Sequence, residues 1–319
     1  MPKQPDQPGN RLGHSLLHCH FESGLRALAV TRPGLLERLQ SVYQSAPYLG
    51  AAPAARLALL DQQVSRLTEE RGIFRPEVFA EVVRRLCREM TGSGVSHVDL
   101  RVGVIMHRWP WITSLPDAVT AFRAAMPGPD TLTVSFLGAV SLSRPSDVLD
   151  TVLGRIAEDA AADGLLTGLD ITLQPGDLPA LDRCLSTLLG FQRGGLRVNI
   201  HLGELFGAGF SRLVLSRIIP SRIGHGVLLL DDPQAVQLIR EHEICLDMCP
   251  VSNTRLGVWD WTSSSPAARA MRLGLPVTIN TDDPVLLGAG LAANLALAGL
   301  SPAQLESARR TARRYGHRR

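Results

Sequence analysis

Lysine is nearly missing from this 319-residue chain, since Lys3 is the only lysine among its 33 basic residues. Aromatic residues make up only 5%, and the five cysteines form no C-x-x-C pair, which argues against a disulfide scaffold. No apolar run approaches the roughly 18 residues of a membrane span, and the opening residues are polar where a signal peptide is apolar. We therefore expect a cytoplasmic protein without a membrane partner.

Two phosphate-binding motifs are also missing. No G-x-G-x-x-G follows the first strand candidate, and no G-x-x-x-x-G-K-[ST] occurs anywhere in the sequence. Their absence disfavours a doubly wound nucleotide-binding sheet. With 45% hydrophobic and 20% charged residues, the chain is still long and apolar enough to bury a sizeable core.

Helix-period and strand-like segments alternate along the whole sequence, which favours one α/β domain. The clearest helix begins at Pro76 and keeps an apolar face at 3.6-residue spacing until TGSG, residues 91–94, ends it. Strand patterns occur at eight places: 16–21, 95–105, 132–141, 165–173, 196–202, 222–229, 244–249 and 276–281. Eight β–α units in roughly 250 residues predict a single (β/α)8 TIM-type barrel, with its active site at the C-terminal ends of the strands.

We divide the chain into a flexible polar leader over 1–13, the barrel over 14–308 and a basic C-terminal tail over 309–319. Six of the last eleven residues are arginines. A solvated helix end with a loose tail is the favoured interpretation, because the other arginines are spread among 30 acidic residues. We expect no nucleic-acid partner, and the composition leaves a homo-oligomer open.

Histidines gather at the ends of the strand candidates. His18 and His20 are two residues apart on the first strand, so their side chains share one face, and His201 ends the fifth. Each of them alone is more typical of packing than of catalysis. Together they indicate a metal site, because imidazole is a common zinc ligand and three imidazoles plus a carboxylate leave room for a reactive water.

Carboxyl groups follow the same strand candidates. Glu204 comes three residues after His201, and Gly203 between them lets the backbone approach a substrate closely. Asp282 and Asp283 are adjacent at the end of the last candidate. A fold tolerates adjacent like charges best when a cation binds one of them, although an Asp-Asp-Pro turn would also explain this motif.

Five motifs resemble those of the adenosine deaminase family of metal-dependent amidohydrolases. They are HCHFESGL at 18–25, HLGE at 201–204, RIGHGV at 222–227, MCPVSN at 248–253 and NTDDP at 280–284. Their order and wide spacing match the family. The resemblance implies one zinc ion per chain, and it implies these ligands beside a water molecule: His18, His20, His201 and Asp282.

The resemblance also implies a reaction, the hydrolytic deamination of adenosine or a closely related 6-aminopurine nucleoside with release of ammonia. Glu204 corresponds to the acid that protonates the ring nitrogen, and His225 and Asp282 correspond to the residues that orient the attacking water and take its proton. The implied substrate-binding residues are Glu22, Gly203 and Asp283. A bridging carboxylated lysine, which many binuclear amidohydrolases use, is excluded by the position of Lys3 in the leader.

Departures from the family motifs concern substrate recognition. Glu22 stands where many adenosine deaminases have Asp, and Leu173 stands near the usual position of a glycine whose amide reaches the purine. They favour a specialised substrate, such as aminofutalosine or an intermediate of nucleoside natural-product synthesis, as the alternative. A non-catalytic purine-binding relative is a further alternative, which the complete set of ligands and proton-transfer residues disfavours. Cytidine-type deaminases are excluded, because their H-x-E and P-C-x-x-C motifs are absent.

Overall fold

Eight parallel strands form a nearly closed barrel in the computed structural model, which describes residues 13–21, 41–68, 75–102, 115–128, 132–161, 166–284 and 287–317. The strands are β1 (His14–His20), β2 (Val95–Val102), β3 (Thr133–Ser141), β4 (Leu166–Thr172), β5 (Arg197–Leu202), β6 (Arg222–His225), β7 (Cys245–Met248) and β8 (Val277–Ile279). Each strand pairs in parallel with the next one along the chain. The apolar side chains of these strands and of the surrounding helices form one large core.

Helices lie between the strands and after the last of them. In the described part of the chain they are α1 (Ala46–Leu49), α2 (Pro53–Thr68), α3 (Pro76–Gly92), α4 (Leu115–Ala125), α5 (Ser146–Ala161), α6 (Leu178–Arg193), α7 (Ala208–Leu215), α8 (Pro233–Glu241), α9 (Pro250–Leu256), α10 (Pro266–Arg272), α11 (Leu291–Ala298) and α12 (Pro302–Tyr315). None of these helices combines the length and the apolar composition that a membrane crossing requires.

The predicted (β/α)8 architecture is confirmed, and each of the eight strand candidates overlaps a strand, although β1 begins at His14, before the first candidate does. The helix predicted from Pro76 is α3, whose 3.6-period apolar face is buried. The sixth candidate, 222–229, is longer than the strand it contains, because β6 ends at His225. Gly226 follows with a left-handed φ of 71°, and residues 227–229 form a 3-10 turn. Residues 103–105 of the second candidate lie outside the described residues.

The barrel closes between β8 and β1 through two residues that follow β8. The side-chain oxygen of Asn280 accepts hydrogen bonds from the backbone nitrogens of Leu17 and His18, at 2.8 and 3.1 Å. The backbone nitrogen of Asp282 donates to the His18 oxygen, and its oxygen accepts from the His20 nitrogen, both at 3.0 Å. These contacts connect the last strand to the first at the C-terminal rim of the barrel.

The opposite end of the barrel interior is occupied by residues that follow α12, which packs against β1 and β8. His317 is buried, and its Nδ1 lies 2.6 Å from the carboxylate of Asp99. Arg222 reaches the same carboxylate at 2.5 Å and donates to the Tyr315 oxygen at 3.0 Å. Burial raises the pKa of Asp99, but Arg222 and His317 outweigh burial and hold that pKa well below its usual range. The boundary drawn at residue 308 falls inside α12.

A second, smaller core joins side chains within residues 42–60 to α9 on the rim where the strands end. Tyr43 and Tyr48 are buried there and pack edge to face, with ring centroids 5.2 Å apart. The guanidinium of Arg255 lies 4.7 Å from the Tyr43 ring, and the Tyr48 hydroxyl donates to the Arg255 oxygen at 2.8 Å. These contacts attach the segment between β1 and α3 to the helix that follows β7.

Replacing His317 by Ala removes one donor from the buried Asp99 carboxylate and leaves a small cavity. We expect the free energy of unfolding to fall by roughly 1 to 3 kcal/mol, the usual effect of leaving a buried polar group short of a partner. His242→Ala is the matched control, because His242 is exposed and surface substitutions usually change stability by about 0.5 kcal/mol or less. Urea unfolding measures both. Equal midpoints for the two variants would contradict the role of His317.

Candidate active site

Four imidazole rings meet at the rim of the barrel. His18 and His20 come from β1, His201 from β5 and His225 from β6. The ring centroid of His18 lies 5.4 Å from that of His20, 4.8 Å from that of His201 and 5.1 Å from that of His225. Parallel strands of a barrel all end at the same rim, so residues far apart in the sequence come together there.

Asp282 contributes a carboxylate to the same cluster. Its Oδ1 lies 3.4 Å from the Nε2 of His18 and 3.3 Å from the Nε2 of His20. Burial raises the pKa of this carboxyl, but the hydrogen bonds from His18 and His20 outweigh burial and hold that pKa well below its usual range. The φ of Asp282 is 59°, a left-handed conformation that Asp tolerates better than most residues. This turn lets its backbone close the barrel while its side chain faces the histidines.

Glu204 lies beside His225. One carboxylate oxygen of Glu204 is 3.4 Å from the Nε2 of His225 and 4.0 Å from the Nδ1 of His201. On the other side of the His225 ring, the Asn253 side-chain amide donates to Nδ1 at 3.2 Å. Because Nδ1 then accepts, Nε2 carries the proton of the neutral ring and points toward Glu204. Burial lowers the pKa of His225, which favours this neutral form.

The cluster has the donor atoms of a metal site. Its nitrogen and oxygen atoms lie within 4.8 Å of one another in three overlapping sets, which together form one centre. The sets are His18–His20–His201, His18–His225–Asp282 and His201–Glu204–His225. The buried Nδ1 of His18 has no hydrogen-bond partner among the described residues, and its Nε2 has only the contact with Asp282. A buried imidazole short of partners, beside other histidines and a carboxylate, fits a zinc ion.

Negative charge surrounds His201. Its Nε2 lies 2.8 Å from the carboxylate of Asp170. Asp170 is a residue of strand β4. Burial lowers the pKa of His201, but Asp170 and Glu204 outweigh burial and raise that pKa to about 10. The carboxylates therefore favour a positive charge at this position, either a proton on the ring or a bound cation.

Several residues that shape the cluster were not singled out from the sequence. Gly224 leaves room for the rings, because a Cβ there would lie 2.8 Å from His18 Cε1 and 3.3 Å from His201 Cδ2. The Asn253 side chain donates to the His225 ring, and the Asn280 side chain accepts from the β1 backbone. These three residues lie inside the quoted motifs, and that position was the only signal available. The sequence held no signal for the contact between Asp170 and His201, because a lone acid within an apolar strand does not indicate which histidine it will contact.

The expected substrate-binding residues are placed only in part. Glu22 lies outside the described residues, and Asp283 is buried next to Asp282. Gly203 has a φ of 64°, and a Cβ there would come within 2.6 Å of Leu229 Cγ, so packing alone requires this glycine. Leu173 is buried at the end of β4. The substrate roles of these residues stay predictions.

Known proteins resemble this chain in sequence over most of its length. The model of the family described as adenosine deaminase matches residues 71–313. A protein of Streptomyces virginiae, whose name assigns it provisionally to adenosine/adenine deamination, is 27% identical over 299 residues, covering 88% of this chain and 84% of that protein.

Two solved structures resemble the fold. Adenine deaminase from Arthrobacter aurescens superposes with a TM-score of 0.76 at 19% identity, covering 96% of this chain and 94% of the other. An amidohydrolase from Burkholderia ambifaria with bound zinc superposes with a TM-score of 0.73 at 17% identity, covering 97% of this chain and 86% of the other. At such identities the likeness concerns the fold.

Replacing Gly224 by Ala should weaken divalent-metal binding. The new Cβ would overlap the His18 ring, and disturbing the surroundings that orient a metal ligand typically lowers affinity by about 10- to 100-fold. Gly154→Ala is the control, since nothing lies within 4 Å of a Cβ at that helical position. Competition with a chromophoric chelator measures both affinities. Equal affinity in the two variants would show that the His18 ring does not depend on the space at Gly224.

Proposed function

Because this chain belongs to the adenosine deaminase family, we propose that it is a zinc-dependent hydrolase that releases the 6-amino group of adenosine, or of a closely related 6-aminopurine nucleoside, as ammonia. One observation carries the proposal: four histidines, Asp282 and Glu204 converge on one point at the rim of the barrel. Water enters and ammonia leaves, so the product is the 6-oxopurine.

His18, His20, His201 and Asp282 would hold the ion. When bound, zinc lowers the pKa of a coordinated water toward neutrality and so supplies a nucleophile. The protein's own groups control where that water's proton goes. The Asp282 carboxylate would accept that proton, and His225 would orient the water by donating to its oxygen through Nε2, which carries the proton of the neutral ring.

Glu204 would act on the purine. A protonated Glu204 carboxyl can donate to N1 of the ring, which makes the neighbouring carbon accept the incoming oxygen. The same carboxylate lies 3.4 Å from His225, so a proton can pass between the two groups during turnover. Burial of both side chains limits competition from bulk water. Asp283 would hydrogen-bond the N7 side of the purine.

The base itself is the second candidate substrate. The relatives described above are named for adenine as well as adenosine, and Leu173 stands near the position of the family glycine.

We propose that the chain accepts a small-molecule aminopurine and works in the cytoplasm, because all five cysteines are free and buried, as suits a reducing compartment.

A substrate panel tests the proposal. The zinc-supplemented protein is incubated with adenine, adenosine, adenosine analogues altered at the 5′ position and 6-aminopurine nucleotides, and ammonia release is followed beside the loss of adenine absorbance. Turnover of any of them supports the deaminase assignment, and the best substrate identifies the group on N9. Failure on every 6-aminopurine in a folded, metal-loaded sample would overturn it.

Metal content should be close to one divalent ion per chain after dialysis. The described donor sets share members and form one centre, and Lys3 is the only lysine from which a second, bridged metal could be built. Elemental analysis of the dialysed protein measures the ratio. A reproducible value near two, or near zero in a folded sample supplemented with zinc, would contradict a mononuclear site.

Replacing Glu204 by Gln should preserve folding and metal content while removing most turnover. The amide keeps the shape of the side chain but cannot deliver a proton, and general acid catalysis is typically worth about 10²- to 10⁴-fold. Ammonia release by variant and wild type is compared at equal zinc content. If the variant kept more than about half of the wild-type rate, Glu204 would not be the acid.

A further inference from the structure

Arg101 crosses the interior of the barrel directly beneath the histidine cluster. It belongs to β2, and none of its side chain is exposed to solvent. Its Nε lies 3.0 Å from the Asp170 carboxylate, and its Nη1 donates to the Leu17 backbone oxygen at 2.8 Å. Its Nη2 lies 3.8 Å from Asp247. The guanidinium therefore contacts three different strands.

One of these contacts leads to His201. The Asp170 oxygen that faces Arg101 is also the one that lies 2.8 Å from the His201 Nε2. A carboxylate on one ring nitrogen of a metal-binding histidine fixes the orientation of the ring and leaves the other nitrogen for the metal. Arg101 in turn fixes the carboxylate, so the position of His201 depends on an ion pair that is completely buried.

A second contact leads to His18. Leu17 is the residue before His18, and its carbonyl oxygen is the acceptor of Arg101. The peptide nitrogens of Leu17 and His18 are held from the other direction by Asn280. Arg101 is thus connected to two members of the cluster on two strands, His18 through the backbone and His201 through Asp170.

Taking a guanidinium out of water is costly, and an apolar group of similar volume would often stabilise the fold as well. What the guanidinium supplies is geometry, because one rigid planar fork pairs with the Asp170 carboxylate 3.0 Å from Nε and donates to the Leu17 oxygen through Nη1. A lysine ammonium keeps the charge but lacks that fork. Its single nitrogen cannot reproduce both the Asp170 and the Leu17 contact at the same distances.

We propose that Arg101, acting through Asp170 and the Leu17 carbonyl, is a positioning residue that sets the separation of His201 and His18 and thereby the metal affinity of the site. The inference rests on the proposed metal site and adds to it a residue that contacts neither metal nor substrate.

Arg222 provides a matched control. It is equally buried, donates to the same Leu17 oxygen at 3.1 Å and contacts Asp247 at 2.9 Å. Its other carboxylate partner among the described residues is Asp99, which pairs with His317, whereas the Asp170 carboxylate pairs with Arg101 and His201. Arg101→Lys and Arg222→Lys therefore remove a similar buried fork, but only the first breaks the connection to His201.

The experiment compares zinc affinity, measured by chelator competition, with the free energy of unfolding of the metal-free protein. We expect Arg101→Lys and Asp170→Asn to weaken zinc binding by roughly 10- to 100-fold. Arg222→Lys should destabilise the fold to a similar extent but change zinc affinity far less. If Arg101 had only a structural role, both arginine variants would lose stability and their zinc affinities would be equal.

Each outcome decides the inference. Unchanged zinc affinity in Arg101→Lys, or an equal loss in Arg222→Lys, overturns it while leaving the proposed function intact. If Arg101→Lys does not fold, Asp170→Glu takes its place, because it keeps both charges and lengthens the acidic side chain between Arg101 and His201 by one methylene. A zinc affinity of Asp170→Glu equal to that of the wild type would then overturn the inference. A wild-type protein that binds no zinc overturns the inference and the proposed function together.

Discussion

The contact between the end of β8 and β1 is the constraint on which the rest of the site depends. β8 is only three residues long and forms its ladder with β7, so the last gap in the barrel is bridged by the Asn280 side chain and the Asp282 backbone. The same β1 segment carries His18 and His20, and the same turn carries the Asp282 carboxylate. Closing the barrel and assembling these three donors are therefore one structural event.

The left-handed conformations at the rim belong to the same event. His225 and Asp282 have φ values of 69° and 59°, which most side chains avoid. Such conformations persist only where the surrounding structure determines them, and here hydrogen bonds from neighbouring strands do so. The backbone of Gly226 donates to Leu202, and that of Asp282 donates to His18. The fold thus supports a local strain that points two side chains into the cluster.

Beneath the rim, the barrel interior is polar rather than apolar. Asp99, Asp170 and Asp247 face two arginines, Arg101 and Arg222, and all five side chains are buried. Buried ion pairs of this kind add little net stability, since desolvation offsets much of their attraction. Their effect is to fix positions, because each arginine joins carboxylates and carbonyls of several strands. A rigid base of this kind suits the proposed metal site, whose histidines converge on one point.

Local periodicity and motifs in the sequence were sufficient to predict the eight strands, the barrel, α3 and the residues of the cluster. Strand alternation and the H-x-H spacing are short-range properties, so they can be read directly from neighbouring residues. The end of β6 could not be predicted, because the apolar run after Gly226 has the pattern of a strand, whereas in the fold Gly226 is left-handed and a Cβ there would lie 2.8 Å from Leu246 Cδ2. Likewise, the boundary at residue 308 followed charge composition, whereas α12 continues because its apolar face packs against β1 and β8.

The chemical groups of the site and their order along eight repeated units can be read from the amino-acid sequence alone. Which of these groups meet depends on the folded barrel, which brings together Asp170 and His201, Arg101 and Leu17, Asn253 and His225, and His317 and Asp99. The partners in these four pairs are separated by 28 to 218 residues along the chain, and no local pattern encodes such a distance. The reason is physical: strand register and barrel closure set the positions of side chains across the interior, and both depend on the packing of the whole ring.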